Sequence, residues 1–442
     1  MSKYLSIITY INDLIENHKL KGGDKLPSVR KLSEILNCSP QTVVRAYKKL
    51  ENDHIIYAVK KSGYYLVSKL ESKENIIKEI DFSTVTPHID SLAYEKFNHC
   101  LNHVLNIYKM DFSKYGDPQG LDSLIKTIRK YLQNYQIFTK ESEIFITSGT
   151  QQAVDLLVKM DFNEGKKTIL IENPTYHRII KSLKVKGIAI KTIERKNNTI
   201  DLNRLEEIFK RENIKFFYII PRYHNPLGGS LDLKTKKEIV RLANIYNVYI
   251  VEDDYLVDLD ECMRNYSLYN LDINNRVIYL KTFSKILLPG LRISTTIMPP
   301  DLCKKFLEYK THADVHTSTL TQGALDLYIR NGMLNKSIEQ MKSTYGKRRR
   351  KMKEVCHKFQ SPNYKINIPK GGLFLSIEVN KKINLKELID HMKKSNIKLR
   401  NSSECFYNYE GKMNLLTLSI SRVNEDEIEM GLNKIFHYLN KF

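Results

Sequence analysis

A lysine is only a surface charge until its neighbours say otherwise. Lys285 stands in K-T-F-S-K-I-L-L-P-G-L-R, residues 281–292, directly after the apolar run Val277-Ile278-Tyr279-Leu280. An amine leaving the end of a buried strand, flanked by small hydroxyls and followed by Gly290 and Arg292, fits a lysine that forms a Schiff base with a phosphorylated aldehyde cofactor. Thr282, Ser284 and Arg292 would then hold the phosphate. Other polar clusters also follow apolar runs. In S-G-T-Q-Q-A, residues 148–153, small residues at a helix start free backbone N–H groups for an anion, which makes Gly149 and Thr150 a phosphate cradle, although such a sequence is also a common cap. Tyr176, ending E-N-P-T-Y, could stack on a planar ring or belong to the core. Asn225, in H-N-P-L-G-G, offers an amide on a rigid turn. In Glu252-Asp253-Asp254-Tyr255, a carboxylate could keep a pyridine nitrogen protonated and a phenol could meet the ring oxygen. Three acids in a row also suit a metal site or a capped loop, but no histidine cluster supports a metal.

The elements that must position these groups are legible as alternating apolar runs and amphipathic stretches. Strands are expected at 144–146, 168–171, 188–193, 216–220, 248–251, 277–280 and 293–298, with helical segments between them, for example 233–245. This alternation predicts an α/β fold with a mainly parallel sheet covered on both faces. Ligands of such sheets bind at the carboxyl ends of the strands, where the polar clusters fall.

The first 68 residues read differently. A helix over 4–18 carries an apolar stripe of Leu5, Ile8, Ile11 or Leu14, and Ile15, and Gly22-Gly23 ends it. A second helix over 26–36 has Ser28 as N-cap. Ser39-Pro40 then supplies an N-cap with proline in the first turn of a third. There Val43, Tyr47 and Leu50 face inward, leaving Gln41, Thr42, Arg45, Lys48 and Lys49 outside. Strand, turn and strand follow over 55–67, with Lys60 and Lys61 at the tip and Gly63 in the turn. A tight helix pair presenting amide, hydroxyl and guanidinium groups has helix-turn-helix geometry, and the alternative is a small protein-interaction domain with a charged solvated face. Residues 69–80 read as a polar, charged linker. The main domain spans 81–442, with a smaller C-terminal subdomain from about 330.

Composition bounds these readings. The chain has 442 residues, 42% hydrophobic and 27% charged, with no apolar run of membrane-spanning length. Its N-terminus lacks the apolar segment of a signal peptide, and six scattered cysteines indicate neither a disulfide framework nor a zinc site, so a cytoplasmic protein is expected. The net charge of +21 supports contact with an acidic polymer, and a lysine-rich solvated surface would explain much of it.

The motifs carry two resemblances. L-P-S-V-R-K-L-S, S-P-Q-T-V-V-R-A-Y-K-K-L-E and K-S-G-Y-Y-L-V resemble the winged helix-turn-helix of the GntR regulators. That resemblance implies contacts of Arg30, Gln41, Thr42, Arg45 and Lys48 with double-stranded DNA, Arg45 being the base reader. S-G-T-Q-Q-A, E-N-P-T-Y, H-N-P-L-G-G, E-D-D-Y and T-F-S-K…P-G-L-R resemble, in order and spacing, the fold-type I aminotransferases that bind pyridoxal 5′-phosphate. This second resemblance implies that Lys285 is the Schiff-base lysine and Asp253 the partner of the pyridine nitrogen. It assigns Asn225 and Tyr255 to the ring oxygen and Tyr176 to stacking, while Gly149, Thr150, Thr282, Ser284 and Arg292 become phosphate ligands. Tyr115, in Y-G-D-P-Q-G, matches a tyrosine that reaches the phosphate of a neighbouring subunit, which implies a head-to-tail homodimer. A GntR winged helix before such a domain is the composition of the MocR regulators.

One departure stands out. Where the enzymes carry an arginine for the substrate carboxylate, in a pattern like R-L-S-F-S, this chain has Thr417 in T-L-S-I-S. Arg178 and Arg400 could compensate or be surface charges, and Arg422, five residues on, is a further cation available to a substrate or effector. His224-Asn225 follows the enzymes, where the regulators often have H-Q. The expected function is a DNA-binding transcriptional regulator that senses an amino compound, or pyridoxal phosphate itself. The alternative is a working aminotransferase with a regulatory DNA-binding domain.

Overall fold

The structure is a computed structural model that describes residues 3–17, 20, 22–53, 55–59, 62–67, 79–87, 94–109, 113–162, 164–196, 198–262, 265–408 and 414–441. The chain divides into two compact units, Met1–Ile77 and Lys78–Phe442. The wing tip at Lys60 and Lys61, and residues 69–78 of the expected linker, lie outside the described residues.

The first unit contains α1 (Lys3–Glu16), α2 (Val29–Ile35), α3 (Pro40–Asn52) and an antiparallel hairpin of β1 (Ile56–Val59) and β2 (Gly63–Leu66). Ser28 caps α2 by accepting from Lys31 N at 3.2 Å, and Ser39 caps α3 by accepting from Thr42 N at 3.2 Å. Val43, Tyr47 and Leu50 are buried with Ile7, Ile11, Leu32 and Leu66. The Tyr47 hydroxyl donates to the Pro27 carbonyl at 2.6 Å, pinning α3 to the turn before α2. The inner stripe of α1 differs from the expected one. Ile7 and Ile11 are fully buried, whereas Leu5 is 48% exposed. Two residues advance a helix by about 200°, so Leu5 and Ile7 cannot share a face. Gly63 opens β2 with φ +122°, a backbone that disfavours any side chain.

The second unit opens with β3 (Ile80–Asp81), so the last residues of the expected linker already belong to it; Ile80 is buried and pairs with Ile397. Then come α4 (Tyr94–Ile107), α5 (Asp122–Gln133), β4 (Ile144–Thr147), α6 (Thr150–Lys159), β5 (Thr168–Asn173), α7 (His177–Val185), β6 (Ile190–Lys196), β7 (Thr199–Ile200) and α8 (Leu202–Arg211). β8 (Ile214–Ile219), α9 (Leu233–Ile245), β9 (Tyr249–Asp253), α10 (Leu268–Leu271), β10 (Val277–Thr282), β11 (Ser294–Ile297), α11 (Pro300–Asp314) and α12 (Thr319–Arg330) complete the large layer. The strands form one sheet in the order β4-β11-β10-β9-β8-β5-β6-β7. All run parallel except β11 and the short β7. Every residue of β8, β9 and β10 is buried, because helices cover both faces of these apolar strands.

The C-terminal part holds α13 (Met333–His357), β12 (Tyr364–Asn367), β13 (Phe374–Val379), α14 (Leu385–Lys394), β14 (Ile397–Lys398), β15 (Arg400–Asn401), β16 (Asn414–Ser419) and α15 (Glu425–Leu439). Its four-stranded sheet, ordered β12-β13-β16-β15, is antiparallel.

Candidate functional site

Since β4, β5, β8, β9 and β10 run the same way, their carboxyl ends bring Thr147, Asn173, Ile219, Asp253 and Thr282 to one edge of the sheet. Asp253, last in β9, is buried. Its Oδ2 accepts from the Tyr218 hydroxyl of β8 at 2.6 Å, while Oδ1 is buried without a hydrogen-bond partner among the described residues. Burial raises this carboxyl to about 6, with Tyr218 and Lys285 pulling the other way. The rest of the acidic run diverges. Glu252 accepts from the backbone N–H groups of Leu268 and Tyr269. Asp254 pairs with Arg222 and accepts from the Tyr279 hydroxyl at 2.7 Å. Among the described residues no group of acids, histidines and cysteines could hold a metal ion.

Lys285 follows β10 and donates from Nζ to the Val85 carbonyl at 2.8 Å. Burial, aided by Arg178 and Arg292, lowers its amine to about 8 against the raising pull of Asp253. An amine so tuned keeps a minor neutral, nucleophilic fraction near physiological pH, far larger than that of an ordinary lysine.

The anion cradle is made where a chain reversal returns to the helix start. Gly149, with φ +96°, caps α6 ahead of Thr150. Arg292 adopts a left-handed backbone at φ +51° and lies against Gly149, so close that a methyl group on Gly149 would stand 2.2 Å from its Nη2. Only a glycine lets this guanidinium reach the open helix terminus. Ser148 N, beside it, is tied to Gln152 Oε1 at 2.7 Å; Gln152 in turn donates to Asp314 at 2.6 Å, which pairs with Lys310. That supporting chain was not foreseen, because α11 is remote in sequence. Thr282 accepts from Ser284 N at 3.1 Å, so both hydroxyl residues border the same loop as Lys285.

Tyr176 precedes α7 and is half-buried within the field of Arg178, Asp253, Arg400 and Arg292. Asn225 is half-buried on its turn. Tyr255 is buried, and its hydroxyl donates to the Tyr223 carbonyl at 2.5 Å rather than pointing an uncommitted proton at the cleft. Beneath Asn225 lies a wholly buried ionic cluster the sequence did not announce. Glu172 Oε1 accepts from Arg195 at 2.7 Å, and its Oε2 accepts from Ile220 N at 2.7 Å with His224 Nε2 at 3.4 Å. Burial opposes the Glu172 charge, but His224 and Arg195 outweigh it and hold the carboxyl below its ordinary range. The cluster fixes the neighbour of Asn225 to the central sheet.

The expected cations separate. Arg178 is exposed. Arg422 pairs with Asp81 at 3.9 Å. Arg400 sits in β15 directly opposite Thr417 of β16, and its Nη2 is buried without a partner among the described residues. Tyr115 is 86% exposed, its ring edge-on to His316. In the first unit Gln41, Arg45 and Lys48 lie exposed along α3. Thr42 is half-buried, its hydroxyl engaged with Ser39 at 2.8 Å, so the N-cap takes it off the outer face. Lys49 pairs with Asp53 at 2.7 Å and the exposed Arg30 with Glu34 at 3.3 Å. Among the described residues Arg45 and Lys48 have no ion-pair partner. Nor does any described helix have the length and apolarity to cross a membrane.

Comparison with known proteins matches both units. Residues 107–435 match the aminotransferase class I and II family, and residues 3–66 match the bacterial regulatory proteins of the gntR family. The chain is 38% identical over 444 residues, 99% of its own length and 100% of the relative's, to the uncharacterized HTH-type transcriptional regulator YcxD of Bacillus subtilis (strain 168). It is 30% identical to the 2-aminoadipate transaminase of Thermus thermophilus, over 68% of this chain and 76% of that one. A crystal structure of Pyrococcus horikoshii kynurenine aminotransferase in complex with PMP superposes with TM-score 0.75 at 26% identity, covering 82% of this chain and 91% of that one. The chain therefore belongs to the aminotransferase class I and II family and carries, ahead of that domain, a helix-turn-helix of the gntR family, the composition of the MocR-type regulators.

Proposed function

We propose that this protein is a cytoplasmic DNA-binding transcriptional regulator whose second unit holds pyridoxal 5′-phosphate on Lys285 and responds to an amino compound. The observation that carries the cofactor reading is Asp253. A buried carboxylate oxygen without a partner among the described residues, braced by Tyr218 and sharing a field with Lys285, suits a protonated pyridine nitrogen. The Gly149–Arg292 cradle and Thr150 fit the phosphate, with Thr282 and Ser284 beside it; Tyr176 fits a ring face and Asn225 the ring oxygen, which Tyr255 could meet only by giving up its bond to the Tyr223 carbonyl. Bound there, the cofactor supplies an aldehyde that captures amines and a ring that withdraws electrons from them.

The residues do the rest. Asp253 would keep a proton at the ring nitrogen, Arg292 would neutralise the phosphate, and Lys285 would supply the amine that holds the aldehyde. Tyr115 is open to a second copy, in keeping with a head-to-tail homodimer whose sites are completed across the interface. Two winged helices in such a dimer read a repeated operator through Arg45, with Arg30, Gln41 and Lys48 on the backbone and Gly63 shaping the wing, while Thr42 serves the N-cap. An effector that prefers one dimer conformation shifts the population and with it operator affinity.

The test is reconstitution with pyridoxal phosphate, borohydride reduction and peptide mass spectrometry, followed by operator binding with and without amino compounds. A reduced adduct on Lys285 is expected, absent in Lys285→Ala; an adduct elsewhere, or none, overturns the reading. The second reading, a working aminotransferase, is favoured by the amine of Lys285 lying near 8, where a proton can be shuttled. Conversion of the loaded protein to its amine form by an amino acid, reversed by a keto acid, would establish it.

A further inference from the structure

The cleft holds a guanidinium, that of Arg400, with a buried nitrogen that meets no acceptor among the described residues. Arg400 and Thr417 are directly opposed on the β15–β16 ladder. Opposed residues of an antiparallel pair project from the same face, with their Cα atoms about 4.5–5.5 Å apart. That face looks onto the Asn225 turn, since Thr417 Oγ1 donates to the Pro226 carbonyl at 3.3 Å and Ser376, on the other side of Thr417, donates to the Leu227 carbonyl at 3.0 Å. Thr417 also accepts from Ser402 at 3.1 Å, so its hydroxyl is spent within the protein. Its neutral side chain gives Arg400 no counter-charge.

Among the described residues no carboxylate forms an ion pair with Arg400, although Glu404 lies within its field. Glu404, four residues beyond Arg400, pairs with Lys181 at 3.1 Å. Arg400 Nη2 is nonetheless buried, and among the described residues it meets no acceptor. Two further polar atoms of the adjoining segment share that condition, Thr175 Oγ1 and His177 Nδ1. Burial first, and then the Arg400 charge, lowers the His177 imidazole to about 4, so at neutral pH it is an uncharged ring beside a guanidinium. Stranded buried donors are costly, and proteins retain them where a ligand satisfies them.

We propose that Arg400, reaching in from the strand beside Thr417, is the anion receptor of this cleft, and that the ligand it selects is an amino compound bearing a carboxylate. The inference rests on the assignment of the cleft to amine capture by cofactor-loaded Lys285. It goes further by excluding carboxylate-free amines as the preferred class. A planar guanidinium pairs with a carboxylate through two parallel hydrogen bonds, while His177 and Thr175 supply neighbouring polar atoms.

Calorimetric titration of the full-length, cofactor-loaded protein tests this with matched probes. L-lysine is set against cadaverine, L-ornithine against putrescine and L-alanine against ethylamine. The wild type should bind at least one acid more tightly than its amine. Arg400→Gln should weaken that acid by about 10- to 100-fold and leave the amines unchanged. Arg400→Lys, which keeps the charge but loses the fork, should fall between. Combining Arg400→Thr with Thr417→Arg should restore the discrimination and guards against misreading a folding defect. Equal binding of every acid and its amine by the wild type, or full discrimination in Arg400→Gln, overturns the proposal. Borohydride trapping on Lys285 is scored separately. An adduct with no discrimination sinks Arg400 alone, whereas discrimination without an adduct retains the receptor and sinks the cofactor reading.

Discussion

Gly149→Ala is the most demanding perturbation of the cradle, because two costs can be worked out and measured apart. At φ +96° an alanine is strained by about 1–3 kcal/mol. Its Cβ would also stand 2.2 Å from Arg292 Nη2 and 2.9 Å from Cζ, well inside the contact distance of about 3.5–4.0 Å, so the guanidinium must leave. Leaving forfeits a charge-assisted contact with phosphate of about 1.5–3 kcal/mol, or about 10- to 150-fold in affinity for pyridoxal phosphate. Absorbance titration reads the second cost and chemical denaturation of the cofactor-free protein reads the first. Arg292→Ala should reproduce the affinity loss without the backbone strain. The double variant should bind the cofactor no worse than Arg292→Ala alone, because the two changes remove one interaction. Additive losses in the double variant, or wild-type affinity in Gly149→Ala, would refute the idea that Gly149 exists to admit Arg292.

Other expectations follow from the same geometry. The rate at which pyridoxal phosphate attaches to Lys285, followed by stopped-flow absorbance, should rise with pH and level off above about 8, since only the neutral amine attacks. Arg178→Gln removes a charge that lowers this amine and should move the midpoint up, while Asp253→Asn removes one that raises it and should move it down; an unmoved midpoint in both rejects the electrostatic account. Glu172→Gln takes the carboxylate from beside a buried guanidinium and should cost about 3–5 kcal/mol of unfolding free energy, and a loss below about 1 kcal/mol would mean that the cluster is not ionic. Arg45→Ala should weaken operator binding by about 1–3 kcal/mol and relax base preference, whereas Lys48→Ala should weaken all sequences alike. Unchanged operator affinity would remove Arg45 from the reading surface.

Much of this site was legible because strand ends announce themselves. An apolar run that stops at a polar cluster marks a place on the sheet edge, and in a mainly parallel sheet those places converge. Lys285, Asp253, Gly149 and Asn225 could thus be assembled without coordinates. What escaped the sequence depends on register or on pairings between distant segments. That Tyr218 braces Asp253 follows from β8 lying beside β9, and the sequence reads Tyr218 simply as a member of an apolar strand. The opposition of Arg400 and Thr417 rests on the two-residue strand β15, too short for any periodicity to reveal. Glu172, Arg195 and His224 are scattered over three segments, and only burial makes them one object. Leu5 was misassigned to the inner stripe of α1 because period alone does not choose between neighbouring apolar faces; packing against α3 selects Ile7 and Ile11.

The antiparallel turn from β10 into β11 has a mechanical meaning. Thr282 and Ser294 are paired, so residues 283–293 form a closed hairpin with the reactive amine near one foot and the guanidinium of the cradle near the other. A molecule gripped at both feet is a bivalent ligand of a single loop. Were its anionic end seated, its other end would meet the amine at an effective concentration in the millimolar range or above, whatever its level in solution. Release then requires both grips to open together. Occupancy should therefore outlast brief falls in cofactor supply, giving the protein a memory of loading that a single-point site would lack.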